Sequence, residues 1–155
     1  MRVRTKLFGR EHNDTLSSME MVGLAAKLAG RWREAEELFV QVMETRKRVL
    51  REEHPYTLTS IANLASTYRN QGRWKEAEEL EVQVIETRKR VLGEEHPYTL
   101  TIMANLAYTW KSQSRNKEAI LLMEKCSELR KRILGRHHPN TETSLKALNR
   151  WQREN

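Results

Sequence analysis

Residues 72–80 read GRWKEAEEL, and residues 30–38 read GRWREAEEL, so the two strings differ only at Arg33 against Lys75. They lie 42 residues apart, and the same offset relates His12, His54, His96 and His138, then Thr15, Thr57, Thr99 and Thr141. Arg31, Arg73 and Arg115 obey it, as do Ala35, Ala77 and Ala119. Compared position by position, residues 52–93 and 94–135 share 25 of 42 residues, and residues 10–51 and 52–93 share 23. Agreement at that level marks duplicated sequence, and a fixed period of this size is the signature of stacked repeats.

Each unit reads as two helices. In the second unit Leu58, Ile61, Leu64, Ala65 and Tyr68 recur at spacings of three and four, one face of an α-helix. Gln71-Gly72-Arg73 breaks that helix, because glycine suits a helix C-terminus. A second helix follows, with Trp74, Ala77, Leu80, Val84 and Val91 or Leu92 expected to face inward. It stops at Gly93, and Pro97 opens the next unit, where a first-turn proline loses no hydrogen bond. The pattern predicts seven helices, over 14–29, 31–50, 55–71, 73–92, 97–113, 115–134 and 139–152. Neither helix of a pair buries its apolar face alone, so neighbouring units must supply the core.

The chain thus divides into a single repeat array over 1–155, with repeats at 10–51, 52–93 and 94–135 and a C-terminal capping helix in 136–155. Residues 1–9 fall in phase with the end of a second helix, Phe8 under Leu50 and Gly9 in the column of Gly135, and read as the stub of a preceding repeat. That phase carries two expectations, that the chain is a piece of a longer array and that the incomplete N-terminal repeat supports a homo-oligomer.

Composition narrows the function. Of 155 residues 32% are charged and 38% hydrophobic, and one cysteine rules out a disulfide scaffold, a structural zinc site and a CxxC pair. The longest apolar run, Ala119 to Met123, is far short of the ~20 residues of a membrane helix. No secretory signal is visible, so a cytoplasmic protein is expected. Twenty-eight Lys and Arg against 21 Asp and Glu give +7, which admits an acidic partner without identifying one.

A 42-residue period fits HEAT or armadillo arrays as well as the ~34-residue tetratricopeptide repeat. The residues separate them. The GRWREAEEL and GRWKEAEEL junctions, with Asn63-Leu64-Ala65 before Tyr68 and Asn105-Leu106-Ala107 before Trp110, resemble the tetratricopeptide signature. With the EEHPYTL link at 52–58 and 94–100, the unit is similar to the 42-residue kinesin-light-chain type. The GRWKEAEEL and ETRKRVLG strings also resemble the C-terminal arrays of fungal nucleotide-binding receptor-like proteins. The resemblance implies an all-α, right-handed α-solenoid and a protein-binding scaffold. Departures from the pattern, Met21, Gly23 and Ala26 in the first unit and Ser114 and Asn116 in the third, predict looser packing there.

No cofactor, metal or catalytic constellation is expected. Ligands must converge on one point, whereas the periodic histidines are separated by two helix widths, of order 20 Å, and are expected to close the links between repeats. No GxSxG, GxGxxG, P-loop or HExxH string occurs, so an enzyme is not expected. Cys126, in the column of Val42 and Val84, reads as a small core residue, and Trp32 and Trp74 read as core packing. The basic runs 46–48, 88–90 and 130–132 follow acidic first turns, the order a helix dipole favours, and read as solvated helix ends. Nucleic-acid binding through them is disfavoured, because the aromatics such a site needs are committed to the core.

The candidate site lies on the first helices, which the resemblance places along a concave groove. By the same resemblance Asn63 and Asn105 hold a bound peptide backbone, a task suited to an amide that both donates and accepts. The alternative is an inter-helix hydrogen bond. Lys27, Arg69, Lys111 and Arg153 form a cationic column six residues further on, and Lys146 and Arg150 add charge near the C-terminus. Such a surface attracts acidic peptides; the alternative for the column is charge matching at helix ends. Protein–protein interaction through an acidic partner is therefore the expected function, with end-to-end self-association as the second reading.

Overall fold

The computed structural model describes residues 13–154. Among them are seven α-helices and no strand: α1 (Asn13–Leu28), α2 (Trp32–Leu50), α3 (Pro55–Asn70), α4 (Trp74–Leu92), α5 (Pro97–Ser112), α6 (Asn116–Leu134) and α7 (Pro139–Glu154). The all-α array of helix pairs is the fold, and every expected helix end falls within two residues of the observed one. The stub at 1–9 and His12 lie outside the described residues. The chain forms two compact units, Met1–Leu80 and Glu81–Asn155, divided inside α4.

The links between repeats explain the periodic histidines. His54 and His96 sit in extended backbone just before α3 and α5, and the Nδ1 of each accepts the N–H of Tyr56 or Tyr98 at 3.1 Å. His138 does the same for Asn140 at 3.1 Å. Each is a side-chain cap on an otherwise unpaired first-turn donor, followed by a proline that has no N–H to satisfy. The histidines therefore close the links, as expected.

The basic runs are a correction. They are not wholly solvated, because Arg46, Arg88 and Arg130 are buried, Arg46 to 1% exposure. Arg46 donates through Nη1 to the Tyr56 carbonyl (3.2 Å) and Ser60 Oγ (2.8 Å), and meets Glu20 Oε1 at 3.1 Å. Arg130 reaches the Asn140 carbonyl (3.1 Å) and Ser144 Oγ (3.0 Å), and Arg88 the Tyr98 carbonyl (3.0 Å). Each guanidinium ties a second helix to the first turn of the helix that follows it. A hydrogen bond from a charged donor contributes about 1.5–3 kcal/mol, and a buried carbonyl left unpaired costs about 1–3 kcal/mol. The remaining cations of the runs stay at the surface, where Arg132 pairs with Glu95 and Lys131 lies 3.2 Å from Glu128.

The core of the first unit centres on Ala26, Ala35, Phe39 and Leu64. At Gly23 the first repeat is tightly packed, whereas Met21 on the same helix is exposed. A Cβ on Gly23 would lie 2.7 Å from Phe39 Cε1, so the missing methyl in α1 is the space the Phe39 ring fills. In the second unit Leu100, Ile102, Met103, Ala119, Met123 and Trp151 are buried, and Tyr108 meets Trp151 edge-on at 5.3 Å. Cys126 and Val84 are fully buried, as their column requires. Two other expectations fail. Val91 and Leu92 are exposed, because the end of α4 turns that edge outward while Arg88 takes the buried position. Trp32 is 39% exposed and Trp74 only half-buried, since both sit on the first residue of a helix, at the rim of the junction.

Two turn residues carry strain that their own repeats measure. Arg51 has φ 77 where Gly93 and Gly135 have φ 93 and 91, and Ser114 has φ 64 where Gly72 has φ 76. With ψ 166, Arg51 stands in a region that only glycine occupies without strain. We expect Arg51→Gly to raise stability by about 1–2 kcal/mol, read as a higher urea midpoint at unchanged slope. Gly23→Ala should lower it by about 1–3 kcal/mol through overpacking against Phe39, although alanine is the better helix former. A gain of about 1 kcal/mol in Gly23→Ala, the helix-propensity difference alone, would show that the ring shifts aside at no cost.

Candidate functional site

In the first unit the structure brings Lys27, Asn63 and Arg69 to the seam between α1 and α3. Asn63 Nδ2 donates to Glu20 Oε1 at 3.0 Å, so its amide makes the inter-helix hydrogen bond that was the alternative to peptide binding. The same oxygen receives Arg46, which makes Glu20 the acid at the centre of a small buried network. Lys27 Nζ lies 2.5 Å from Ser66 Oγ. Burial, and secondly the neighbouring Arg69, hold the Lys27 ammonium below the usual lysine range. Two rungs of the cationic column therefore do come together here, half-buried.

Glu20 is the residue that sequence reasoning missed. Its column holds Glu20, Ala62, Ala104 and Lys146, so no period announces it. The only available signal was an acid one residue before the asparagine column. The same column explains why the two asparagines differ. The counterpart of Glu20 for Asn105 is Ala62, which offers no side-chain acceptor.

In the second unit Asn105 is half-buried on α5, and its amide has no partner among the described residues. Lys111 is already engaged, with Glu154 Oε2 at 2.9 Å and Asn116 Oδ1 at 3.1 Å. That pair and the Tyr108–Trp151 contact lay α7 alongside α5. Lys146, Arg150 and Arg153 follow one another at spacings of four and three along α7, so they share one face. All three are exposed, and their side chains form no ion pair with a described residue. Here, and not around Asn63, the sequence-predicted cations are available to a partner.

The second-helix junctions carry a different pattern. Arg73 stacks on Tyr68 (4.2 Å from guanidinium carbon to ring centroid) and Arg115 on Trp110 (4.8 Å). Arg73 also reaches Glu36 at 2.9 Å and Glu76 at 2.5 Å. These arginines buttress the turn between paired helices. No group of three His, Cys, Asp or Glu among the described residues is placed to hold a metal. Burial raises the Cys126 thiol pKa, partly offset by Arg130, and a buried thiol of that kind is unreactive.

Comparison with known proteins agrees with this architecture. Residues 15–56, 57–98 and 99–140 each match the tetratricopeptide repeat. No curated protein matches the chain. Among solved structures, two of a Podosopora anserina protein, described as a kinesin light chain with nearly identical TPR-like repeats, are each 31% identical to this chain. They superpose with TM-scores of 0.84 and 0.82, over 98% of this chain and 72% of theirs. BtubC (BKLC) from P. vanneervenii shares the fold at 18% identity, with a TM-score of 0.86 over 97% of this chain and 61% of its own.

The Glu20 network has a measurable weight. Glu20→Ala removes the acceptor shared by Arg46 and Asn63, and should cost about 1–3 kcal/mol in urea unfolding. Asn63→Ala, which leaves the Arg46–Glu20 contact in place, should cost less. Equal losses would mean that Arg46 gains nothing from Glu20.

Proposed function

We infer the function from one premise: the chain belongs to the tetratricopeptide repeat family, in its kinesin-light-chain-like form, a family of non-enzymatic protein–protein interaction scaffolds. The partner we propose is an acidic peptide segment, captured along the first helices. The observation that carries this is the exposed row Lys146, Arg150 and Arg153 on α7, beside the Asn105 amide of α5, none of which has a side-chain partner among the described residues. The cations select charge and raise the association rate, while the amide grips backbone of any sequence. Asn63, Lys27, Arg69 and Lys111 take part only by exchanging their present partners for the peptide. A parent of the fungal receptor-like kind, and a cytoplasmic location, are proposed with this reading. No described helix is long and apolar enough to cross a membrane.

Self-association is the second reading, and one observation favours it. Met21 and Leu28, at 70% and 88% exposure, form with Leu24 an apolar stripe on α1. Large contiguous apolar surface on a helix face marks a contact site.

Calorimetry on the whole chain tests both. An acidic peptide should bind more tightly than a neutral one of equal length, and Lys146→Glu with Arg150→Glu should weaken only the acidic one, by about tenfold or more. Asn105→Ala should weaken both peptides, with the melting temperature unchanged. Equal affinities for the two peptides, unaffected by the charge reversals, would refute the acidic partner. A chain that sediments as a dimer and becomes monomeric on Leu28→Glu would put self-association in its place. Steep salt-dependent binding to duplex DNA, uncontested by the peptide, would instead indicate a nucleic acid.

A further inference from the structure

Lys111 is a cation of the ladder that already holds a carboxylate. Its ammonium lies 2.9 Å from Glu154 Oε2, in the last turn of α7. Neither the repeat nor the helix accounts for that acid. Its column reads Leu28, Asn70 and Ser112 in the preceding units, so the period places no charge there. A helix dipole disfavours an acid in a last turn, the turn in which α7 also carries Arg153. What Glu154 gains, it gains from Lys111 across the α5–α7 seam. The two side chains differ in exposure, 23% for Lys111 against 50% for Glu154. The cation is set into the seam and the acid lies over it, as a ligand lies over its site.

The third unit's departure at Asn116 belongs to the same place. Asn116 stands where the earlier units have Trp32 and Trp74, and its Oδ1 accepts from the Lys111 ammonium at 3.1 Å. That bond does not involve Glu154, so the ammonium keeps a positioning partner when the acid leaves. We propose that Lys111 is a carboxylate-binding subsite, and that Glu154 is a built-in stand-in which an acidic peptide displaces. The proposal rests on the acidic-peptide reading and adds that the chain competes with its own partner at this rung. A tethered acid acts at high effective concentration, so a free carboxylate competes poorly with it. A peptide already held by Lys146, Arg150 and Arg153 brings its next acid to Lys111 on equal terms. Because the pair is partly solvated, the contact that the peptide breaks is a weak one.

Calorimetry on the full chain tests it, with a peptide of alternating Glu and Ser and its Gln and Ser analogue as probes. Glu154→Gln should tighten the acidic probe by about two- to fivefold and leave the neutral one as it was. In a Lys111→Met background the same substitution should gain nothing, because the vacated place no longer holds a cation. In a Lys111→Arg background, which keeps the charge, the gain should return. Glu142→Gln removes an acid from the far end of α7 and should leave both probes unchanged. A gain of equal size with Lys111→Met, or from Glu142→Gln, would overturn the proposal by reducing the effect to general charge. An acidic probe that binds the parent and Glu154→Gln equally would also overturn it, and would leave the acidic-peptide reading standing. An acidic probe that binds neither would overturn both.

Discussion

A guanidinium withdrawn from water needs acceptors, and in this chain the one carbonyl that each Nη1 finds marks every described link between repeats, even though the buried Arg46 Nε has no partner among the described residues. Arg46, Arg88 and Arg130 each run from the penultimate turn of a second helix to a carbonyl in the first turn of the next helix. The histidine cap and the proline fix where that next helix begins, and so fix where the carbonyl stands. Tyr56 and Tyr98 then cover the outside of the link, their rings 5.1 and 5.0 Å from His54 and His96. The angle between successive helices is therefore held by a directional bond as well as by packing. The serine beneath two of the arginines, replaced by Ile102 beneath Arg88, shows which part is dispensable.

The same bookkeeping of charge limits what the formal +7 means for a partner. Much of the positive charge is spent internally. Arg46 meets Glu20, Arg73 meets Glu36 and Glu76, Arg115 meets Glu118, and Lys111 meets Glu154. Lys125 and Arg132 in α6 reach back to Glu94 and Glu95 of the preceding link. Of the cations on the first helices, those left for recognition lie on α7. The interior also holds an acid, since Glu81 stands in the column of Phe39 and Met123 and accepts the Thr109 hydroxyl at 2.6 Å. That column is apolar in the other repeats, so the second repeat pairs a polar core residue with a partner able to satisfy it.

The fold was legible because its determinants recur. Glycine, proline and histidine at fixed offsets mark helix ends, and a 3.6-residue stripe marks the buried face, so the helices fall where the period puts them. The side of the stripe that neighbours cover is a different matter. Val91 and Leu92 read as core by spacing alone, yet the buried position at that end of α4 belongs to Arg88, hidden in a run of three cations. The Arg88 stem is apolar and its head finds a carbonyl, a combination invisible to hydropathy. Of the candidate site, the cationic column was legible as a column. Its division into engaged and available members was not, because Glu20 and Glu154 occur once each and leave no periodic trace.

The Gly23–Phe39 contact bears on how such an array is able to change over time. Near-identical tandem units invite unequal crossing-over, and units are gained, lost or hybridised wherever the breakpoint falls. A breakpoint in the HisPro links, beside His54 or His96, moves whole helix pairs and keeps Gly23 in company with Phe39. A breakpoint at the GlyArgTrp junction, just as similar between copies, shuffles first helices against second helices. It would set Ala65 opposite Phe39, or Gly23 opposite Glu81, leaving a clash in one product and a void in the other. The heritable module is thus the helix pair cut at its histidine, and the complementary volumes of one glycine and one ring act as its lineage tag.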